Sequence, residues 1–378
     1  MISRDCKKIA LIRKECSLKR GGAERYCANL GRCLADMGHQ VYVVARTCDD
    51  DIHPGLIHVP VQVRNWTSSS RNLSFHQNSQ RALNDLDIDY VYALSRTYPA
   101  DAFRISDPLH DSWLDVRYPG WLRNRLERLN PRHRTILGLE KRVCDAGYSG
   151  AIVTNSIWSR QQILARYDYP SERIHVVYNG VDLDYFRPSE GGKPVGGPLR
   201  LLFVAQDFAR KGLGFILDAL KQLHAQGIAC HLSVVGRDNP RPFLQQAQRL
   251  GVAQAVDFHE STSQIQDYYN AADLLVFPTL SDPFANVCLE ALACGLPVMT
   301  TTHNGAAEIL TEDQTGYVLQ ANRPLAPQIV AGIVRFSRLP EQYRVEMTHR
   351  ARICAEGFTI RHNAERTLDV LAGVTRSR

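Results

Sequence analysis

Three segments of the chain carry residues suited to binding a phosphorylated ligand, and each lies between a predicted strand and a predicted helix. The first is Arg210-Lys211-Gly212, which follows the predicted strand Leu201–Ala205. Ligands bind open parallel sheets at the carboxyl ends of the strands. There an arginine supplies a planar fork of donors and a lysine supplies a point charge. The pair predicts a diphosphate site. A solvent-exposed helix start is the alternative, although cations there oppose the helix dipole.

The second segment runs from Asp282 to Glu290 and again joins a strand to a helix. Backbone amides at such a turn can receive phosphate oxygens or sugar hydroxyls. The residues that would supply these amides are Phe284, Ala285, Asn286 and Val287. Glu290 lies just inside the helix, where a carboxylate can accept the paired hydroxyls of a ribose. Surface acids are common, so two acids eight residues apart are weak evidence on their own.

The third segment is Gly21-Gly22, ahead of the first predicted helix. Glycine lets a backbone approach a phosphate closely, although an ordinary turn between strand and helix explains the pair equally well. The dinucleotide fingerprint GxGxxG and the GxSxG elbow are both absent from the sequence. Their absence argues against a nicotinamide enzyme and against a serine hydrolase of the elbow type.

The elements that must position these segments alternate between short β-branched strands and helices. In the first half the predicted strands are Lys8–Arg13, Val41–Ala45, Leu56–Val63, Tyr90–Leu94, Ala151–Thr154 and Ile174–Tyr178. In the second half they are Leu201–Ala205, His231–Val235, Val256–His259, Leu274–Phe277 and Pro297–Thr301. Strands separated by helices predict parallel, doubly wound sheets of the α/β class.

The alternation occurs twice, which predicts two similar domains. The stretch Val181–Gly197 carries Asp, Pro and Gly without periodicity and is the predicted linker. We expect an N-terminal domain of residues 1–185, completed by a C-terminal helix of residues 355–378, and a second domain of residues 186–354. The helical pattern near the end begins at about Glu341, and this stretch is expected to return to the first domain.

Composition narrows the class of protein. Of the 378 residues, 44% are hydrophobic and 22% are charged, a balance typical of globular domains. No run of about 18 apolar residues predicts a spanning helix. The apolar stretch near the N-terminus is too short for a signal peptide, so a cytoplasmic protein is expected.

Metal binding is not indicated by the sequence. The ten cysteines include no CxxC pair, and most are expected to be small core residues. Acidic DxD pairs, which hold Mg²⁺ or Mn²⁺ in some enzymes, occur at Asp85/Asp87, Asp87/Asp89 and Asp182/Asp184. We interpret all of them as turn acids.

Longer motifs resemble a known family. The stretches Ile174–Phe186, Arg210-Lys211-Gly212 and Ala272–Val298 are similar to the retaining glycosyltransferases of family 4, which have the GT-B fold. The motifs DFARKG and VGRDNP, with the stretch from Tyr268 to Val298, resemble one branch more closely. Members of that branch add glucose to heptose in the core of lipopolysaccharide. The resemblance covers most of the chain, is weaker in the N-terminal half, and implies two facing Rossmann-like domains.

The resemblance assigns roles to residues at matching positions. Arg210 and Lys211 would bind the diphosphate and stabilise it as a leaving group, and Glu290 would hold the donor ribose. Asp282 would contact the donor sugar as the first acid of the E-x7-E pattern, although the family has glutamate there. Aspartate shortens the reach by one methylene. Ala285 replaces the more usual glycine of the turn.

In the first domain, Asp107 falls where the lipopolysaccharide branch has its active-site aspartate. Many other members of the family have a histidine in this region, and His110 is the alternative as a sugar contact. The amides at Gly21 and Gly22 would join the donor site.

These roles imply retaining transfer of a hexosyl group, with UDP-glucose as the expected donor, to a hydroxyl of a glycan or glycolipid. The lipopolysaccharide core is the expected acceptor, and neither a metal nor a further cofactor is expected. The alternatives are a nucleotide-sugar epimerase of the same fold, and a family 4 transferase that acts on another polysaccharide or a soluble acceptor. A nucleic-acid-binding protein would need aromatic stacking platforms, which are not recognisable.

One segment holds the whole excess of positive charge. The chain has a net charge of +6, and from Arg117 to Arg142 eight cations outnumber two acids, with aromatic and aliphatic residues interleaved. This mixture suits the headgroup region of a membrane, and the lipopolysaccharide branch carries a similar segment. We expect peripheral docking on the inner face of the plasma membrane through Trp121, Arg123, Arg125 and Arg128. A helical hairpin with solvated arginines is the alternative.

Overall fold

The structure is a computed structural model that describes residues 6–190 and 196–374. Contacts divide the chain into two compact units. The first runs to Tyr178 and resumes at Ile360, and the second comprises Asn179–Thr359. The predicted boundary after residue 185 lies inside the second unit. Residues 191–195 of the predicted linker and residues 375–378 of the predicted terminal helix lie outside the described residues.

The first unit is built on a parallel sheet. In chain order its strands are β1 (Lys8–Ile12), β2 (Glu15–Cys16), β3 (Gln40–Ala45), β4 (Thr47–Cys48), β5 (Leu56–Pro60), β6 (Tyr90–Ala93), β7 (Ala100–Ile105), β8 (Ser149–Thr154) and β9 (Ile174–Val176). The helices between them are α1 (Gly22–Asp36), α2 (Ser68–Asn84), α3 (His110–Arg117), α4 (Trp121–Leu129), α5 (Pro131–Val143) and α6 (Ile157–Leu164). The main sheet has the order β5-β3-β1-β6-β7-β8-β9, and β2 pairs with β4 separately.

The composition of β1 shows how the sequence produces this sheet. Ile9, Ala10, Leu11 and Ile12 are fully buried. Successive residues of a strand face opposite sides: Ile9 and Leu11 join the core that includes residues of α1, whereas Ala10 and Ile12 join the core on the other face. A continuous apolar run is what a parallel strand covered on both faces requires.

The second unit repeats the plan. Its strands are β10 (Leu199–Ala205), β11 (Cys230–Gly236), β12 (Val256–His259), β13 (Leu274–Phe277), β14 (Val298–Thr301) and β15 (Gly316–Leu319). Its helices are α7 (Leu213–Ala225), α8 (Arg241–Leu250), α9 (Ile265–Ala271), α10 (Asn286–Ala293), α11 (Leu325–Ser337) and α12 (Glu341–Glu356). The sheet order is β12-β11-β10-β13-β14-β15, with parallel pairing throughout. The predicted class of parallel, doubly wound sheets is confirmed.

The C-terminal helical stretch is divided between the units. Helix α12 packs on α10 of the second unit, whereas α13 (Ile360–Gly373) packs on α1 of the first. Asn363 of α13 fixes this return, because its Nδ2 donates to the Tyr178 carbonyl at 2.6 Å and its Oδ1 accepts from the Tyr26 hydroxyl at 3.0 Å. The short break before Ile360 therefore separates two helices, whereas the sequence pattern predicted one helical stretch from about Glu341.

Strand β7 was not predicted, because polar residues interrupt its pattern. Arg104 is 2% exposed, and its guanidinium lies 4.1 Å from the centre of the Tyr26 ring. Asp101 accepts the backbone amide of Val91 at 2.7 Å. Both residues are thus built into the sheet by partners on other elements, Tyr26 on α1 and Val91 on β6. In the part of the chain that the structure describes, no helix combines the length and apolarity needed to cross a membrane.

Candidate active site

The loop after β10 places Arg210 and Lys211 near the middle of the second sheet. β10 pairs with β11 on one side and with β13 on the other, so the strand order reverses here, at the position where open α/β sheets bind ligands. Gly212 closes the loop with a φ of +88°, and a Cβ there would lie 2.2 Å from the carbonyl oxygen of Pro278. Glycine is required by both features, and α7 begins at the next residue.

Lys211 is buried and paired with an acid. It is 9% exposed, its ammonium forms an ion pair with the carboxylate of Asp282, and its Nζ lies 5.4 Å from the centre of the Phe277 ring. Burial lowers the pKa of Lys211, and the nearby Asp282 carboxylate opposes that shift. The structure therefore brings together two predicted site residues that lie 71 positions apart.

Arg210 is held in place by the same loop. Its Nε donates to Asp207 at 3.0 Å, and its Nη1 donates to the carbonyl of Ser281 at 2.8 Å. Its own carbonyl accepts the amide of Leu280 at 2.9 Å. These contacts fix the guanidinium on the edge of the turn that follows β13, so the two cations and the predicted turn form one cluster.

The turn from Asp282 to Val287 is ordered by a residue that the sequence analysis did not select. Asn304 is 1% exposed, and its Oδ1 accepts the amides of Ala285 and Ala306, each at 3.1 Å. Its Nδ2 donates to the hydroxyl of Thr300 at 2.9 Å. The Asn304-Gly305 dipeptide after β14 is a turn signal that could have identified it.

Some of the predicted amides are engaged inside this turn. The amide of Phe284 donates to Oδ1 of Asp282 at 3.2 Å, and that of Ala285 donates to Asn304. Asn286 and Val287 are the first two residues of α10, where an α-helix offers its amides no carbonyl partner. The side chain of Asn286 accepts from the amide group of Asn179 at 2.5 Å.

Glu290 lies in the second turn of α10 and is half-buried. Its Oε2 accepts the hydroxyl of Tyr269 at 2.9 Å. Tyr269 is fully buried, and its pKa is raised well above the usual value by burial first and by Glu290 second. The tyrosine thus acts as a neutral donor that orients the predicted ribose-binding carboxylate. Nothing in the sequence pattern distinguished it from other core aromatics.

In the first unit, Gly21 and Gly22 mark the start of α1. Gly21 has a φ of −65° and a ψ of 172°, which any residue can adopt. A Cβ on Gly21 would approach Oε2 of Glu24 to 2.9 Å, and Glu24 pairs with Arg13 at 2.8 Å. A side chain at Gly21 would therefore disturb the flexible side chain of Glu24, but it would not strain the backbone.

Asp107 and His110 follow β7 and occupy different surroundings. Asp107 is exposed and lines a cavity of about 280 Å³, together with Arg13, Lys14 and Arg96. The His110 ring packs on Trp113, with 5.4 Å between ring centres, and its Nε2 lies 2.9 Å from Nδ1 of His133. Burial first, and Arg96 second, lower the pKa of His110 to about 4.

Glu140, another residue that the sequence analysis did not select, organises this region. It is 1% exposed and accepts from Arg96 at 2.9 Å and from the Tyr167 hydroxyl at 2.9 Å. It also accepts the backbone amides of His110 at 2.6 Å and Asp111 at 3.2 Å. A buried carboxylate with four donors at the start of α3 fixes the loop that carries Asp107.

Two family models match the chain. The model for Glycosyltransferase Family 4 matches residues 20–185, and the model for Glycosyl transferases group 1 matches residues 198–337. Between them they cover most of both units, including the glycine turn and the segments around Lys211 and Glu290. The chain belongs to the family 4 glycosyltransferases. The predicted family is confirmed, and the protein is a transferase.

Individual relatives agree with this assignment. The lipopolysaccharide glucosyltransferase WaaG of Escherichia coli K12 is 25% identical over 366 residues, which cover 93% of this chain and 96% of the relative. The D-inositol 3-phosphate glycosyltransferase 2 of Catenulispora acidiphila is 26% identical, with 80% of this chain and 79% of the relative covered.

Solved structures show the same fold. The crystal structure of WaaG superposes with a TM-score of 0.80 at 24% identity, covering 97% of this chain and 100% of that one. A sucrose-phosphate synthase from Thermosynechococcus elongatus gives a TM-score of 0.79 at 18% identity, covering 97% and 98%. The predicted GT-B fold is confirmed.

The basic segment of this glycosyltransferase contains an unusually exposed helix. Helix α4 has no buried residue, and its apolar side chains are 59–74% exposed. They belong to Trp121, Leu122, Leu126 and Leu129. At 3.6 residues per turn they fall within an arc of about 140°.

The arginines of α4 differ in their surroundings. The guanidiniums of Arg123 and Arg125 lie 5.2 Å and 6.0 Å from the ring centres of Tyr118 and Trp121. Arg128 instead pairs with Asp115 at 2.9 Å and with Asp111. The geometry therefore assigns Arg128 a role in tying α4 to α3.

In each of the three DxD pairs of the glycosyltransferase, at least one acid is engaged by another residue. Asp87 pairs with Lys8 at 2.7 Å, and Asp89 accepts the Lys8 amide at 2.8 Å. Asp182 accepts the amides of Asp184 and Tyr185 at 3.2 Å and 3.1 Å, as a turn acid does. Within residues 6–190 and 196–374, no cluster of three or more histidine, cysteine or acidic side chains could hold a metal ion.

Proposed function

We propose that this glycosyltransferase transfers glucose from UDP-glucose to a hydroxyl of the lipopolysaccharide core, with retention of the anomeric configuration. The observation that carries the proposal is the cluster at the switch point of the second sheet, where Arg210 and a buried Lys211–Asp282 pair adjoin the start of α10. WaaG, the relative that matches along nearly the whole chain, is named a lipopolysaccharide glucosyltransferase. HepE of Anabaena, which shares the fold with a TM-score of 0.71, was solved with UDP-glucose.

The chemistry follows from the charges of the cluster. As the acceptor oxygen attacks the anomeric carbon, negative charge develops on the departing UDP. The cations Arg210 and Lys211, with the amides of Asn286 and Val287, would stabilise that charge. The carboxylate of Asp282 favours the charged form of the buried Lys211 ammonium before the diphosphate binds. In a same-face reaction, the acceptor proton passes to an oxygen of the leaving diphosphate, so no protein nucleophile and no metal is needed.

Glu290 would accept the ribose hydroxyls of the donor, and Tyr269 would set the direction of its carboxylate. In the first unit, Asp107 would orient the acceptor hydroxyl from the edge of its cavity. His110 is the weaker candidate for a sugar contact, because its ring is engaged with Trp113 and His133.

The test is a donor and product screen. UDP-, GDP- and ADP-glucose and UDP-galactose are incubated with the purified protein, with and without core oligosaccharide, and nucleotide release is measured. UDP-glucose should give the fastest release, with an α-linked product by NMR. Conversion of the donor to an epimer without acceptor would replace the proposal with the epimerase alternative. Transfer only to another glycan would overturn the acceptor assignment.

We further propose that α4 docks on an anionic membrane surface, which would bring the enzyme to a glycolipid acceptor on the cytoplasmic leaflet. The exposed arc of Trp121, Leu122, Leu126 and Leu129 supports this, since amphipathic helices bury such a face at the headgroup boundary. Arg123 and Arg125 supply the cations. Each cation near an anionic surface contributes about 1 kcal/mol.

The docking test compares matched arginine variants. Arg123→Ser with Arg125→Ser should weaken binding to vesicles containing phosphatidylglycerol by roughly thirtyfold at low salt, and Trp121→Ser should weaken it further. The control is Arg323→Ser with Arg338→Ser, which removes two exposed arginines of the second unit. Equal binding of wild type to anionic and neutral vesicles would refute docking.

A further inference from the structure

The cavity of about 280 Å³ in the first unit is lined by five cationic side chains. It opens where β1, β6 and β7 end, and α2 contributes to its wall. The cations on its lining that are not in the strands are Arg13, Lys14, Arg71 and Arg96. Asp107, the proposed contact of the acceptor hydroxyl, lines the same space.

The acids of the cavity are already committed to other partners. Glu24 pairs with Arg13 at 2.8 Å, and Glu140 pairs with Arg96 at 2.9 Å while accepting three further donors. Glu15 pairs with Arg20 at 2.5 Å and also with Arg46. Of the four cations outside the strands, two have no acidic partner among the described residues, namely Lys14 and Arg71.

Lys14 is held in this position by a neutral group. Its Nζ donates to Oδ1 of Asn72 at 2.5 Å, and Asn72 adjoins Arg71 on α2. Burial first, and then the neighbouring cations Arg13, Arg96 and Arg71 in that order, lower the pKa of Lys14 to about 8. An ammonium that is desolvated among like charges gains stabilisation from a bound anion.

Asp107 complements this arrangement. In the described part of the chain no hydrogen bond or ion pair engages its carboxylate, and its charge acts on Arg13, Arg96 and Lys14. Asp107 can accept a hydrogen bond from a hydroxyl, while Lys14 and Arg71 can bind an oxyanion. The cavity therefore matches a ligand that carries a hydroxyl next to an oxyanion.

We propose that this cavity binds an oxyanion of the acceptor, a phosphate or a carboxylate, through Lys14 and Arg71, and that the hydroxyl beside it faces Asp107. The acceptor is thereby an acidic glycan and not a neutral one. This inference deepens the proposed function, and its basis is the charge pairing inside the first unit.

The experiment measures oxyanion binding directly. Inorganic phosphate and acetate, with glycerol as a neutral comparison, are titrated into the full-length protein by calorimetry in the presence of saturating UDP. Phosphate should bind the wild type, and Lys14→Met combined with Arg71→Gln should weaken that binding by roughly a hundredfold, because two charged hydrogen bonds are lost. Lys14→Arg, which keeps the charge, should retain it. If acetate binds about as strongly as phosphate, the acceptor group in the cavity is a carboxylate. If only phosphate binds, the acceptor group is a phosphate.

The controls separate this inference from the donor site. Lys141→Met with Arg134→Gln removes two exposed cations of α5 that do not line the cavity, and it should leave phosphate binding unchanged. The double variant at Lys14 and Arg71 should keep wild-type affinity for UDP and a wild-type unfolding midpoint. Equal phosphate binding by wild type and this folded variant would overturn the oxyanion site. If UDP does not bind at all, the result counts against the proposed donor, independently of the result of the phosphate titration.

Discussion

Replacing Lys211 with methionine should remove a cation that the proposed mechanism places at the leaving group, and it should leave Asp282 without its ionic partner. The two side chains are 11% and 13% exposed, so water compensates the stranded carboxylate poorly. Breaking a buried pair from one side costs about 3–5 kcal/mol, and the residual exposure favours the lower end, about 3 kcal/mol. In a unit of this size the unfolding midpoint moves by about 2–4 °C per kcal/mol, which gives a decrease of about 6–12 °C.

The effect on catalysis should be separable from the effect on stability. Loss of one donor that stabilises transition-state charge lowers kcat by about 10²–10³. In the double variant Lys211→Met with Asp282→Asn, the stranded charge is removed. That variant should regain most of the lost stability while turnover stays low. Single and double variants are compared by thermal unfolding and by UDP release from UDP-glucose.

The control is Arg350→Met, which breaks an exposed pair with Glu346 at 2.5 Å. It should change neither the unfolding midpoint nor turnover, since exposed pairs contribute little. Recovery of turnover in the double variant would refute the leaving-group role of Lys211. An unchanged midpoint in the single variant would refute the reasoning about the buried pair.

Three further predictions concern other parts of the molecule. Glu290→Ala should raise the Kd of free UDP measured by calorimetry. Tyr269→Phe should raise the Kd less, because this change removes only the donor that orients the carboxylate. An unchanged Kd in Glu290→Ala would exclude the ribose contact. Excess EDTA should leave UDP release unchanged, and a loss restored by Mg²⁺ would implicate a DxD pair. The folded state lowers the pKa of His110 to about 4, below its ordinary value of about 6.5, so its contribution to stability is complete above about pH 6.5 and is lost as the pH falls towards 4. Between about pH 4 and 6.5, His110→Gln should therefore make the midpoint of urea unfolding depend less on pH. An unchanged pH dependence would contradict the lowered pKa of His110.

The sequence predicted those parts of the fold that depend on local pattern. Continuous apolar runs such as Ile9–Ile12 located the buried strands, and the segments that follow two of the strands contained Lys211 and Glu290. Strand β7 was missed because Arg104 and Asp101 find their partners elsewhere in the first unit. Local pattern carries no information about such partners.

The same limit applies to the residues that support the site. Asn304, Tyr269 and Glu140 are ordinary buried residues until the sheet brings them beside Ala285, Glu290 and Arg96. Their positions depend on the pairing of strands, and neither the periodicity of the sequence nor the spacing of motifs predicts that pairing. A polar residue buried next to a motif is found only once the topology is known.

Asp282 combines a local contact with a long-range one. Its Oδ1 accepts the amide of Phe284, two residues on, and its other oxygen pairs with Lys211. A bond from a side chain to the amide two residues ahead is the Asx turn, which suits aspartate and asparagine but not the longer glutamate. The departure from the E-x7-E pattern thus has a local reason, because aspartate can start the turn and hold the lysine at once. A carboxylate committed to both contacts would position Lys211, the cation that the proposed mechanism places at the leaving group.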